Sequence, residues 1–159
     1  QGGNDGCLNT YESTNGVQAS TTGNIYGIYD MSGNSWEIVS TYLNNNDTNL
    51  NTYGASIINA NNKYKDIYTK GTTDDQASNY ALAANKKGDA IYETSSNING
   101  LFSWFSDFSF ISNTSNPWFI RGGAWNTGLA AGMFHFNIAN GDYVDVYGFR
   151  PILLVGTGL

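Results

Sequence analysis

The sequence predicts an α+β fold made mostly of strands and irregular loop, with few helices, and three observations predict it. Apolar and polar residues alternate from Trp36 to Tyr42, from Met133 to Ile138 and from Tyr143 to Phe149, the period of a strand that buries one face. A single stretch, 74–87, has clear helical spacing. The chain holds 19 Gly, many Asn and only 2 Pro, a balance that favours turns over a helical bundle. With 159 residues, 40% of them apolar and 14% aromatic, it is long enough to bury a core and too apolar for disorder, so 1–159 reads as one domain.

Taken in order, residues 1–24 are rich in Gly, Asn, Ser and Thr and read as a poorly structured lead-in with one short strand near Tyr11. Ile25 to Tyr29 is an apolar strand, and Asp30 to Asn34 a tight turn whose Asp and Asn side chains bond backbone donors. Trp36 to Tyr42 is the next strand, with Trp36 and Ile38 on one face, Glu37 and Val39 on the other, and Trp36 as a core anchor. From Asn44 to Asn62 the run NNNDTNLN predicts an exposed loop, because so polar a run has no face to bury. Calcium held at Asp47 is the alternative there, disfavoured by the few carboxylates and the lack of EF-hand spacing.

Residues 74–87 follow as an amphipathic helix. Thr73 with Gln76 is a capping-box pattern, Asp74 and Asp75 suit the positive end, and Ala77, Tyr80, Ala81 and Ala84 form the inner stripe. Lys86 and Lys87 suit the negative end, and Gly88 is a natural stop. Ala90 to Glu93 reads as a short extension or strand. Between Ser95 and Asn116, Ser and Asn alternate with Phe and Trp. The favoured reading puts Trp104, Phe105 and Phe108 in a core beneath irregular loops; the other puts them at the border of a contact face. Near the C-terminal end, alternation turns Phe134, Phe136 and Ile138 inward and Met133, His135 and Asn137 outward. A turn at Asn140-Gly141 then makes a hairpin with 143–149, and Ile152 to Val155 is a strand buried on both faces.

The net charge of −6 and a pI near 4.4 argue against nucleic acid or an anionic membrane as partner, because both need clustered Lys and Arg. No apolar run approaches the ~20 residues of a membrane span, and no signal peptide is recognisable. A chain that starts at Gln1 reads as a processed or trimmed product, which leaves open an upstream leader, anchor or pilin-type helix. Cys7 has no second cysteine to pair with and reads as a free thiol, with pairing to another chain as the alternative.

Between Trp118 and Arg150 two motif-like ends bracket a middle whose outward residues follow no structural demand. They are Trp118-Phe119-Ile120-Arg121-Gly122-Gly123 and Gly148-Phe149-Arg150-Pro151. Upstream stands Gly27-Ile28-Tyr29-Asp30-Met31-Ser32-Gly33-Asn34-Ser35-Trp36-Glu37, and Ala124-Trp125 extends the first bracket. In this ordered set the chain resembles the formylglycine-generating-enzyme-like (sulfatase-modifying factor) branch of the C-type lectin fold, over 23–43 and 117–155, with a looser similarity in the middle. The resemblance implies a C-type lectin-like fold with twisted antiparallel sheets. It gives Trp36, Arg121, Gly122, Gly123, Gly148, Phe149 and Arg150 structural roles, the arginines bridging backbone carbonyls with their five donors. Within that branch the chain is more similar to the ligand-binding variable proteins diversified by retroelements, and to surface and pilin-tip domains of gut bacteria and their phages, than to the enzymes. In those relatives the segment between the RGG and GFR motifs carries the variable residues.

The expected binding face is therefore Ala124, Trp125, Asn126, Leu129, Met133, His135, Asn137, Asp142, Tyr143, Asp145 and Tyr147, a mixture of aromatic and small polar residues like that of a paratope. The expected partner is a protein or glycan on another cell or host surface. The domain would sit outside the cell, on a pilus or cell surface or on a phage virion, where many copies act by avidity. No cofactor is expected, and catalysis is read as absent. One histidine, His135, rules out a multi-histidine zinc or iron site. The cysteine pair of the family's enzymes has no counterpart here, and Glu12, Glu37, Glu93, Asp142 and Asp145 form no recognisable acid–base pair. Two other readings stand beside this one: a structural subunit of a pilus or phage tail fibre, with the same face buried between copies, and a degenerate formylglycine-generating-type oxidase.

Overall fold

Trp36–Asn44 forms the longest strand, β1, and every other strand meets it directly or through one neighbour. The computed structural model describes residues 12–19, 22–26 and 35–149. Within them, β2 (Asp66–Thr69), β3 (Trp118–Arg121), β4 (Phe136–Ala139) and β5 (Tyr147–Gly148) complete one sheet, with helices α1 (Thr48–Ile58) and α2 (Gln76–Ala83). The class is α+β. The sheet is mixed, however, and not the antiparallel arrangement expected: β1 runs antiparallel to β3 but parallel to β2 and β5.

Alternation along β1 and β3 sends residues to two cores, so the sheet is covered on both faces. Leu43, Phe119 and Phe136 pack with Tyr68, Ala83, Ile91 and Ile111 on the α2 side. Tyr42, Trp118, Ile120 and Ala139 pack with Leu50 on the α1 side, with Trp36 and Tyr147 against them. Burying each large side chain contributes about 1.5–3 kcal/mol. Trp36 and Val39 lie against opposite cores, as the alternation predicts. Arg121, at the end of β3, donates from Nη2 to the Asp89 carbonyl (2.6 Å) and lies over the Phe136 ring. Burial pushes its pKa down, against the opposing pull of Asp89 and Asp66.

Several elements differ from expectation. The Asn-rich run is a helix, not a loop. Asp47, the carboxylate considered for calcium, caps α1, its Oδ1 accepting from Asn49 N–H (2.8 Å). Leu50 and Gly54, one turn apart, make its buried edge. The second helix is shorter than 74–87. Its cap is Asp75, accepting from Ser78 N–H (2.8 Å), and its inner face is Asn79 and Ala83. Asn79 is tolerated inside because its amide bonds the Ser112 carbonyl and Asp74 while its oxygen accepts from Gly71 N–H.

The expected hairpin does not form. β4 pairs with β3 and β5 with β1, so the turn at Asn140-Gly141 separates strands that find distant partners. Ala90 to Glu93 is an irregular bend around buried Ile91. Gly16–Ala19 is a 3-10 turn in the lead-in. Of the expected strand at Ile25 to Tyr29 only Ile25 and Tyr26 are described, and both are exposed in a turn. The turn at Asp30 to Asn34, the strand at Ile152 to Val155, Tyr11, Arg150 and Cys7 lie outside the described residues. Among the described residues no helix is long and apolar enough to cross a membrane.

Candidate functional site

Two glycines end β3 and turn the chain out of the sheet. Gly122 (φ +83°) and Gly123 (φ +78°) are left-handed, a conformation that costs other residues a Cβ clash. A tight turn follows, closed by Thr127 N–H on the Ala124 carbonyl (2.9 Å) and by Ala124 N–H on Thr127 Oγ1 (2.8 Å). This turn folds Ala124 inside, which corrects its place on the displayed face. Trp125, Asn126 and Leu129 stay exposed, Leu129 at 98%.

A second loop, 101–108, lies against the first. Phe108 N–H donates to the Ala130 carbonyl (3.0 Å), and Phe134 N–H to Asp107 Oδ2 (2.9 Å). Trp104 meets Phe134 edge-on with centroids 5.2 Å apart, and Phe105 stacks on the same ring at 6.0 Å and 15°. Phe105 is 85% exposed and left-handed (φ 61°, ψ 19°), and Ser106 follows at φ 63°. Such backbone costs about 1–3 kcal/mol per residue and persists only where the surroundings impose it. Here Trp104 N–H on Thr94, Ser106 N–H on Ser103 and Ser103 N–H on Asp107 hold the loop. The consequence corrects the favoured core reading: Trp104 and Phe105 point to solvent, as do Leu101, Phe102 and Met133, while Phe108 is half-buried.

His135 is also corrected. Its N–H donates to the Gly132 carbonyl (3.1 Å), a turn that breaks the alternation one residue before β4, and the ring is only 1% exposed beside Phe108. Nδ1 lies 2.9 Å from the Ala130 carbonyl. Because a carbonyl only accepts, Nδ1 carries the proton, and buried Nε2 has no partner among the described residues. Burial holds the imidazole below its usual pKa, outweighing the upward pull of the Ala130 carbonyl and Asp107. With the folded pKa under the unfolded value of about 6.5, the neutral ring's stabilisation is complete above that pH and is lost as pH falls through it. Acidification from about pH 7.5 to 5 should therefore lower the urea midpoint of the wild type more than that of His135→Gln.

The remaining expected residues gather elsewhere. An open groove of about 640 Å³ runs between β1, α1 and β5, walled by Ile38, Tyr53, Ile57, Tyr143, Tyr147 and Phe149, with Asp142 also lining it. The turn beside it is fixed. Asp142 N–H donates to Asn140 Oδ1 (3.0 Å), Tyr143 N–H to Asp142 Oδ1 (2.8 Å), and Gly141 sits where a Cβ would meet Trp118 Cδ1 at 2.7 Å and Tyr53 Cβ at 2.8 Å. Tyr143 is 85% exposed, and Tyr147 is half-buried against Trp36, its phenol pKa pushed up by burial. Phe149, expected to be structural, is 77% exposed. Asp145 is exposed between the two tyrosines, and Asn137 is half-buried on β4, its side chain accepting from Ile138 N–H.

The single face expected is thus two. Trp125, Asn126, Leu129 and Met133 belong to loops that pack with the Trp104 and Phe105 loop; Asp142, Tyr143 and Tyr147 belong to the groove. Sequence reasoning missed Tyr53 and Ile57, whose i, i+4 spacing on a helix was the available signal. Among the described residues no group of three or more His, Cys, Asp or Glu is placed to hold a metal ion. No protein-family model matches the chain, and neither the curated proteins nor the solved structures searched hold a match to it.

Proposed function

We propose that the chain is a non-catalytic binding domain whose contact face is the aromatic platform of loops 101–108 and 124–134. Its partner is a protein or glycan on another cell or host surface, met by a domain displayed on a pilus or cell surface or on a phage virion. One observation carries this reading: Phe105 is held outward on Phe134 by left-handed backbone. Strain and hydration both disfavour that arrangement, and a contact surface is where they are offset, because rigid exposed aromatics concentrate interface energy. Leu129 and Met133 widen the apolar surface, and the serines and asparagines around it suit adaptable polar contacts. The lectin-like order of the RGG and GFR motifs supports the same reading.

The test is an array of defined glycans and an array of cell-surface ectodomains, each probed with the wild type and with Phe105→Gly. Glycine relieves the left-handed strain, so the variant should melt no lower than about 2 °C below the wild type. Its binding to any hit should fall by about 2 kcal/mol, or roughly 30-fold. Hits that bind both proteins equally would sink the proposal. A dimer that Leu129→Ser disperses would sink it too, by assigning the face to assembly between copies.

A further inference from the structure

The groove combines aromatic walls with an exposed carboxylate. Its walls include rings, with Tyr53 from α1, Tyr143 from the segment after β4, Tyr147 from β5, and Phe149 just past it. Among its described lining residues the one charge is the carboxylate of Asp142, and none is basic. Aromatic faces beside a carboxylate attract a cation with an alkyl body, since ring quadrupole and negative charge act in the same direction.

The carboxylate is also aimed before any ligand arrives. Oδ1 accepts from Tyr143 N–H, and the Asn140 side chain closes the turn on Asp142 N–H. Gly141 is pressed between Trp118 and Tyr53, so the turn has little room to shift. Oδ2 has no hydrogen-bond partner among the described residues. One free acceptor suits a compact ammonium; a guanidinium fork, which pairs best with both oxygens of a carboxylate, is matched less well. The long apolar stem of lysine would lie along the rings while its head reaches the carboxylate. At about 640 Å³ and open to solvent, the groove has space for the peptide on either side of such a residue as well, which favours a residue on a protein over a small free cation. The net charge of −6 steers a basic partner toward the domain.

We propose that this groove is a second binding site, distinct from the platform, that takes a lysine side chain presented by a partner protein. The probe is the tripeptide N-acetyl-Gly-Lys-Gly-amide, titrated into the intact 15N-labelled domain. A norleucine counterpart of the same shape without charge, and choline as a free small cation, are titrated in parallel. The lysine peptide should bind with a Kd on the order of 1–10 mM and shift the amides of Ile57, Gly141, Tyr143 and Tyr147. The norleucine peptide should bind about tenfold more weakly, as should the lysine peptide with Asp142→Asn. Tyr143→Ala should weaken it by several-fold, with the spectrum away from the groove unchanged in both variants. Phe105→Gly should leave the titration unaltered, so the platform and the groove fail or stand separately. Equal affinity for the norleucine peptide, equal affinity in Asp142→Asn, shifts confined to other regions, or tighter binding of choline than of the lysine peptide would each overturn the proposal.

Discussion

Trp118→Ala should cost about 3–5 kcal/mol, the range for removing a buried indole, and lower the melting temperature by roughly 10 °C for a chain of this length. Trp118 is where β3, α1 and the turn after β4 converge. Its ring lies 5.4 Å from Tyr42, its Nε1–H donates to the Asn49 carbonyl, and Gly54 and Gly141 both press their backbones on the indole. Those two glycines carry no side chain that can swing in to fill the space, so the cavity stays open and the cost lies toward the upper end. The damage should also be local in its dynamics. Amides of α1 and of Gly141 should exchange faster with solvent, while those of the 103–107 loop keep their protection. A melting temperature within about 2 °C of the wild type would show that α1 does not depend on this contact.

The sequence was most legible where a strand's alternation shows without reference to its partner. The alternation of Trp36 to Tyr42 placed β1 correctly, whereas the apolar run before Gly122, which forms β3, was read only as a motif. It was least legible where the partner decides. The segments at 133–138 and 143–149 look like a hairpin because turn chemistry at Asn140-Gly141 is local, but register depends on which edges β3 and β1 leave open. α1 was hidden for a different reason. Composition marks NNNDTNLN as loop, yet an Asp47 cap followed by Leu50, Ile57 and Ile58 carries a readable seven- to eight-residue period.

The site divides along the same line. Met133 is exposed where the alternation put it, and Tyr143, whose inward face the alternation left open, is exposed as the expected binding face had it. His135 was misplaced because a turn, not a strand, precedes β4, and a backbone bond to Gly132 leaves no mark in a pattern of polar and apolar residues. Trp104 and Phe105 were placed in the core because aromatic density usually means burial. What reverses it is a left-handed phenylalanine, a conformation that the residue's own preference opposes and that only the hydrogen-bonded surroundings impose.

One carboxylate joins those surroundings to the neighbouring loop, which makes Asp107→Ala the complement of the tryptophan variant. Asp107 is buried, accepts Phe134 N–H at 2.9 Å, and faces Gly132 so closely that a Cβ there would meet its oxygens. It thus ties the 101–108 loop to the 124–134 loop, beside the Phe108–Ala130 backbone bond and the ring contacts on Phe134. Removing it leaves the Phe134 N–H without its acceptor, at a cost of about 2–3 kcal/mol with the lost packing. The melting temperature should fall by roughly 5–10 °C. Exchange should quicken at Phe134 and His135 while α1 stays protected, the reverse of the pattern expected for Trp118→Ala. Asp107→Asn keeps an acceptor oxygen for the same N–H and should retain more than half of the stability lost in the alanine variant. If both variants instead lose protection evenly across the chain, the platform is no separate unit, and the exposed rings of Trp104 and Phe105 owe their position to the whole core rather than to the two loops that carry them.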